Sequence, residues 1–128
     1  MTDQFSVESI VMTLAKLPGD LFQSDKLIAE INTRLAESEE SLQVSEVNAS
    51  LNAPQDGKNA ADRELQRKNA LAADPEVKAA RKAVASLKSE IDIEQANNKM
   101  MARQFAGLCH IAEIKSAQMN LMSKGVTK

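Results

Sequence analysis

Val7, Ile10, Val11, Leu14 and Leu17 fall at intervals of three and four, the spacing of one helical face. They predict a short first helix within residues 1–19, capped by Ser6 or Asp3. Pro18-Gly19-Asp20 is expected to end it, because proline cannot continue the hydrogen-bond ladder and glycine accepts a left-handed turn. Leu21, Ile28, Leu35, Leu42 and Ala49 are then spaced by seven and predict a second, long helix over residues 20–52. Their companions are Ser24, Ile31, Ser38 and Ser45, small polar residues for the most part, which let a partner helix approach closely but bury little apolar area. Val44, Val47 and Leu51 are expected to shift the row sideways near the end. The stretch NAPQDGKN, Asn52 to Asn59, predicts a loop centred on residues 53–59, open to disorder or proteolysis.

Residues 60–73 read as a short, charged helix with a thin apolar face: Ala61, Leu65 and Leu71 or Ala72. Asp74-Pro75-Glu76 is a helix start, with a cap residue, proline at the first helical position and an acid in the first turn. A long helix over residues 75–123 follows, about 70 Å at 1.5 Å per residue. Its heptad is Val77, Val84, Ile91, Asn98 and Phe105, with Ala80, Leu87, Glu94, Met101 and Leu108 as the second set. Beyond Leu108 the row drifts to Ile111, Ile114, Gln118, Leu121 and Met122. Two readings of Glu94 and Asn98 stand side by side. As buried polar groups they fix register at a cost in stability; alternatively the seam rotates there and exposes them.

The fold expected is all-α and single-domain: a long antiparallel helical hairpin, coiled-coil-like, with short accessory helices packed near its ends. The first helix would cover part of the apolar tip made by Ile111, Ile114 and Met119. Composition sharpens this. Three Phe, no Trp and no Tyr remove the usual source of buried area, so a narrow aliphatic seam is favoured over a globular core. One hairpin offers little core, and self-association is expected. Met101, Phe105, Leu108, Ile111, Ile114 and Met122 cover more than one stripe and form a candidate oligomer interface, the alternative being a single intramolecular core.

The net charge of −2 hides an asymmetry. Up to Gly57 there are 10 acidic and 3 basic residues; from Lys58 there are 8 acidic and 13 basic. Such a division can mark a polyanion-binding surface, or simply two antiparallel segments that attract each other. One cysteine, Cys109, excludes an internal disulfide. No secretory signal and no membrane-length apolar run is present, so the chain is expected in the cytoplasm, with no membrane partner.

No enzyme is expected, and no metal or cofactor. Cys109 and His110 are neighbours on a helix and point about 100° apart, which does not make a nucleophile and base pair. The carboxylates Glu37, Glu39, Glu40 and Glu90, Asp92, Glu94 lack the Glu-x-x-His partner of di-metal bundles. Gly19, Gly57, Gly107 and Gly125 are isolated, and no phosphate-binding loop occurs. The basic residues from Arg63 to Arg103 form a ladder able to contact successive phosphates, or an ordinary solvated face. Only Phe105 is available among them for base stacking.

From Arg67 to Ile114 a charged helix leads through LAADPEV into a long amphipathic helix ending FAGLCHIAEI. This arrangement, over roughly the last half of the chain, resembles small helical proteins encoded among bacteriophage replication and recombination genes. More distantly it resembles the UvsY family of recombination mediators, although the aromatic residues of that family's helix are missing here. The resemblance implies an oligomeric accessory protein that binds single-stranded DNA and helps load a recombinase. It makes Arg63, Arg67, Lys68, Lys78, Arg81 and Lys82 candidate DNA contacts. Two other expectations are a phage inhibitor of a host nuclease or defence protein, acting through the acidic face from Glu37 to Glu46, and a structural coiled-coil adaptor.

Overall fold

The structure, a computed structural model, describes residues 6–126; the alternative cap Asp3 lies outside them. The fold is all-α. Helix α1 spans Val7–Leu51, α2 Ala60–Ala73 and α3 Pro75–Val126. Ser6 caps α1, its Oγ accepting from the Ser9 N–H at 3.2 Å. Asn59 caps α2 in the same way, with Oδ1 accepting from Asp62 N–H at 2.8 Å. Asp74 serves two helices. Its N–H donates to the Ala70 carbonyl at the end of α2, while its carboxylate accepts from the Glu76 and Val77 N–H groups that open α3.

Where the sequence reading takes the chain as one domain, its contacts gather into two compact units. One comprises residues up to Leu27 together with those from Glu94 on; the other comprises Ile28–Ile93. In the first, Ile10, Leu17 and Leu108 are buried, with Leu14, Met101, Phe105, Ile111 and Ala112 packed against them. In the second, Ile31, Leu87 and Ile91 form a buried cluster with Leu35, and Ala49, Ala53, Val77 and Val84 are buried as well. Within each unit α1 and α3 run antiparallel. In the second, for example, Arg34 pairs with Glu90 at 3.9 Å, and Glu46, further along α1, pairs with Arg81, further back on α3, at 3.5 Å.

The break expected at Pro18-Gly19-Asp20 is absent: one helix runs through it. Ile10, Leu14, Leu17, Leu21 and Ser24 alternate intervals of four and three without a slip, so the row before Pro18 is in phase with the row after it. A break would turn Leu17 and Ser24, both buried, away from each other's face. Proline leaves the Leu14 carbonyl without its helical donor and costs about 3 kcal/mol. Burial of Ile10 and Leu17, roughly 2 kcal/mol each, offsets that. The sideways shift expected at Val44, Val47 and Leu51 is also absent. All three are exposed, and the inward row continues through half-buried Ser45 to buried Ala49. Serine and alanine there let the two helices approach more closely than leucine would.

Residues 52–59 fold back on α2. Gln66 accepts from the Gly57 N–H at 3.0 Å and donates to the Asp56 carboxylate at 2.6 Å, and Arg63 donates to the Gly57 carbonyl at 3.4 Å. Gly57 is needed for closeness and not for a left-handed backbone: a Cβ there would lie 2.8 Å from the Arg63 nitrogen.

Two substitutions test these local assignments. Gly19 is in helical conformation and a Cβ on it would meet nothing within 4 Å. Gly19→Ala is therefore expected to raise stability by about 0.5–1 kcal/mol in urea unfolding; a loss would mean that residues 18–20 do form a turn. Gly57→Ala is expected to cost about 1–3 kcal/mol in the same assay, because backbone atoms must shift.

Candidate functional site

Two arrangements of polar side chains stand out, one in each unit. The first is a polar node on the α1–α3 seam. Ser24 is 3% exposed. Its hydroxyl donates to Glu94 Oε1 at 2.8 Å and accepts from Asn98 Nδ2 at 3.2 Å. The Asn98 amide nitrogen has two hydrogens, and it also donates to Asp25 Oδ1 at 2.8 Å. Of the two readings of Glu94 and Asn98, the inward one holds: both are half-buried and bonded across the helix pair. No buried side-chain nitrogen or oxygen among the described residues lacks a partner. A serine facing an acid and an amide matches in one register only, since a slide by one heptad would set Ser24 against apolar residues. Ser24 was visible on the inward row of the sequence; its bond to Glu94 spans 70 residues and has no sequence signature.

The second arrangement is the basic part of Ile28–Ile93. Lys58 to Lys88 holds eight Lys or Arg against four Asp or Glu. All six candidate DNA contacts are exposed and belong to this unit, but they are not equivalent. Arg63 is bonded to the Gly57 carbonyl, Arg67 to Glu64, and Arg81 to Glu46. Arg63, Glu64 and Arg67 line a shallow groove with Ser50, Ala53, Pro54 and Gln55 at the end of α1. That end has no basic residue in its own last turn, and Arg63 and Arg67 bring positive charge beside it. The hydrogen bond from Arg67, with the positive charges of Arg67 and Lys68 beside it, holds the Glu64 carboxyl below its ordinary value. Lys78 and Lys82 have no carboxylate partner among the described residues, and Lys68 forms no ion pair but lies beside Glu64. On α3, Lys78 and Lys82 are one turn apart and share a face.

The six candidate interface residues divide as well. Met101, Phe105, Leu108 and Ile111 pack with Ile10 and Leu17 of the same chain. Met101, Phe105 and Leu108 lie on the α3 heptad, which continues to Ala112, and Ile111 packs beside that row. Ile114 and Met122 remain exposed, as does Met119, which the first helix does not cover but meets along an apolar groove with Val7, Val11 and Leu14.

Cys109 is half-exposed and His110 exposed. No group of three or more His, Cys, Asp or Glu among the described residues is placed to hold a metal ion. No described helix is long and apolar enough to cross a membrane. Compared with protein families, characterised proteins and solved structures, the chain matches none of them.

The node gives a two-sided expectation. Ser24→Ala should cost about 1–2 kcal/mol, because the amide and acid lose their shared partner. Combining it with Glu94→Leu and Asn98→Leu should recover that loss, and loosen the pairing register as read by hydrogen exchange along α3. A triple variant less stable than Ser24→Ala would show that the node does more than set register.

Proposed function

We propose that this chain is a non-enzymatic, oligomeric helical accessory protein, phage-encoded, that acts in DNA recombination or replication by binding single-stranded DNA, a recombinase, or both. The observation that carries the DNA-binding part is the set of exposed lysines Lys68, Lys78 and Lys82, none of them in an ion pair among the described residues, in a segment with twice as many cations as anions. For Lys78 and Lys82 no carboxylate competes with a phosphate backbone for the ammonium group, whereas Lys68 lies beside Glu64. Arg63, Arg67 and Arg81 contribute positive potential but already hold structural partners. The recombination context comes from the LAADPEV and FAGLCHIAEI resemblance.

A second reading, inhibition of a host nuclease or defence protein, is favoured by Glu37, Glu39 and Glu40, which are exposed without a cationic partner among the described residues. Loss of host-nuclease inhibition on charge reversal at Glu37 and Glu40, in a protein that binds no DNA, would select it. The structural coiled-coil adaptor reading predicts assembly with neither partner.

Fluorescence anisotropy of a labelled single-stranded oligonucleotide, with a duplex control and several salt concentrations, tests the first reading. Salt-sensitive binding with preference for single strands is expected. Reversing Lys68, Lys78 and Lys82 to glutamate should weaken it at least tenfold and flatten the log–log salt slope by roughly 2, at about 0.7 per phosphate contact. An unchanged slope would remove these lysines from the interface.

A further inference from the structure

The segment between α1 and α2 carries Asp56-Gly57, a pair with chemistry of its own. In an Asp-Gly sequence the backbone nitrogen of the glycine can attack the aspartate carboxyl, because no Cβ shields it. The N–Cγ bond forms, and the amide hydrogen leaves with the carboxyl hydroxyl as one water. The product is a five-membered succinimide. Water then adds to the former main-chain carbonyl of the aspartate and breaks its bond to nitrogen. The main chain now runs through Cβ and Cγ as isoaspartate, one atom longer and unchanged in mass.

Packing keeps this pair in the chain. A Cβ at residue 57 would lie 2.8 Å from the Arg63 nitrogen and 2.9 Å from Asp62 Cβ, so the close approach of the loop to α2 requires glycine. Asp56 is exposed, and water reaches it. Gln66, half-buried on α2, engages both reacting groups with the two ends of one amide. Its Oε1 accepts from the Gly57 N–H at 3.0 Å, and its Nε2 donates to Asp56 Oδ1 at 2.6 Å. Ring closure takes away the hydrogen that Oε1 holds and moves the carboxyl carbon into bonding distance of the nitrogen. The two hydrogen bonds oppose both movements. Arg63 also holds the loop, but through the Gly57 carbonyl at 3.4 Å, which is neither the attacking nor the attacked group.

We propose that Asp56-Gly57 is a latent site of covalent self-modification, closing to a succinimide and opening to isoaspartate, and that Gln66 holds it shut. While the loop lies on α2 the pair stays as aspartate and glycine; when Gln66 lets go, it converts. The added backbone atom has no room in a place too tight for a Cβ. Conversion therefore releases the loop from α2 and frees Arg63 from the Gly57 carbonyl. The site needs neither DNA nor a partner chain, and it stands apart from the function proposed above.

The test is to age the full chain in neutral buffer and follow residues 56–57 by fragmentation mass spectrometry. Isoaspartate is recognised by its fragments and the succinimide by the loss of one water. The native chain is expected to convert at least about fivefold more slowly than the same chain unfolded in guanidinium chloride, the factor that hydrogen bonds of ordinary net strength give. Gln66→Ala should remove most of that difference while keeping its helical content, since alanine favours helix. Arg63→Ala loosens the loop without touching either reacting group and should speed conversion less than Gln66→Ala. Native chain converting as fast as unfolded chain, Gln66→Ala no faster than wild type, or Arg63→Ala as fast as Gln66→Ala would overturn the proposal.

Discussion

A helix pair that has almost no aromatic residues must draw its burial from aliphatic side chains placed without error. That constraint governs α1 and α3. Each inward row alternates steps of three and four, from Ile10 to Ala49 on α1 and from Val77 to Ala112 on α3. Among the described residues ten apolar side chains are buried, and of these Val77 alone is completely so. With so little area at each level, a one-residue slip in either row would take a leucine or isoleucine out of the seam and put a charge in. A proline in the middle of α1 is tolerated because the alternative, a turn, would put the first three rungs of that row out of phase.

The same thinness explains why the seam contains a polar node. Aliphatic rows of similar size can pair in several registers with little difference in energy. Ser24, Glu94 and Asn98 add a term that only one register satisfies, because the serine hydroxyl donates to the acid and accepts from the amide. Asp25 takes the second amide hydrogen, which leaves no donor of Asn98 idle. The node lowers stability relative to a leucine rung and raises the cost of every competing alignment.

The helical class, the loop at 53–59, the Asp74-Pro75 start and the α3 heptad were legible in the sequence, because each rests on spacing or on a local cap. Pro18-Gly19 was misread for a definite reason. Local propensity speaks for a break, while the phase of Ile10, Leu14 and Leu17 with Leu21 and Ser24 speaks against it, and tertiary burial decides. Val44, Val47 and Leu51 misled in the same way, since larger apolar residues drew the row away from Ser45 and Ala49. Of the site, the positions of the six cations were legible but their partners were not. The Arg81–Glu46 pair depends on how α1 lies along α3, and the Arg63 contact on how the loop folds back.

Those partners sort the cations by type. Every arginine of Ile28–Ile93 is engaged: Arg34 with Glu90, Arg63 with the Gly57 carbonyl, Arg67 with Glu64 and Arg81 with Glu46. The lysines Lys58, Lys68, Lys78, Lys82 and Lys88 are exposed and form no ion pair among the described residues, though Lys68 lies beside Glu64. The division follows the chemistry of the groups. A guanidinium is a planar fork that keeps a fixed geometry with carboxylates and carbonyls, whereas an ammonium on a flexible stem is a mobile point charge. Arginine reads base edges and clamps oxyanions in fixed positions; lysine neutralises phosphates wherever they lie. A polyanion meeting this surface would therefore meet lysine charge and not arginine geometry. Binding of such a polyanion would depend on salt and on backbone charge density, with little sensitivity to base sequence.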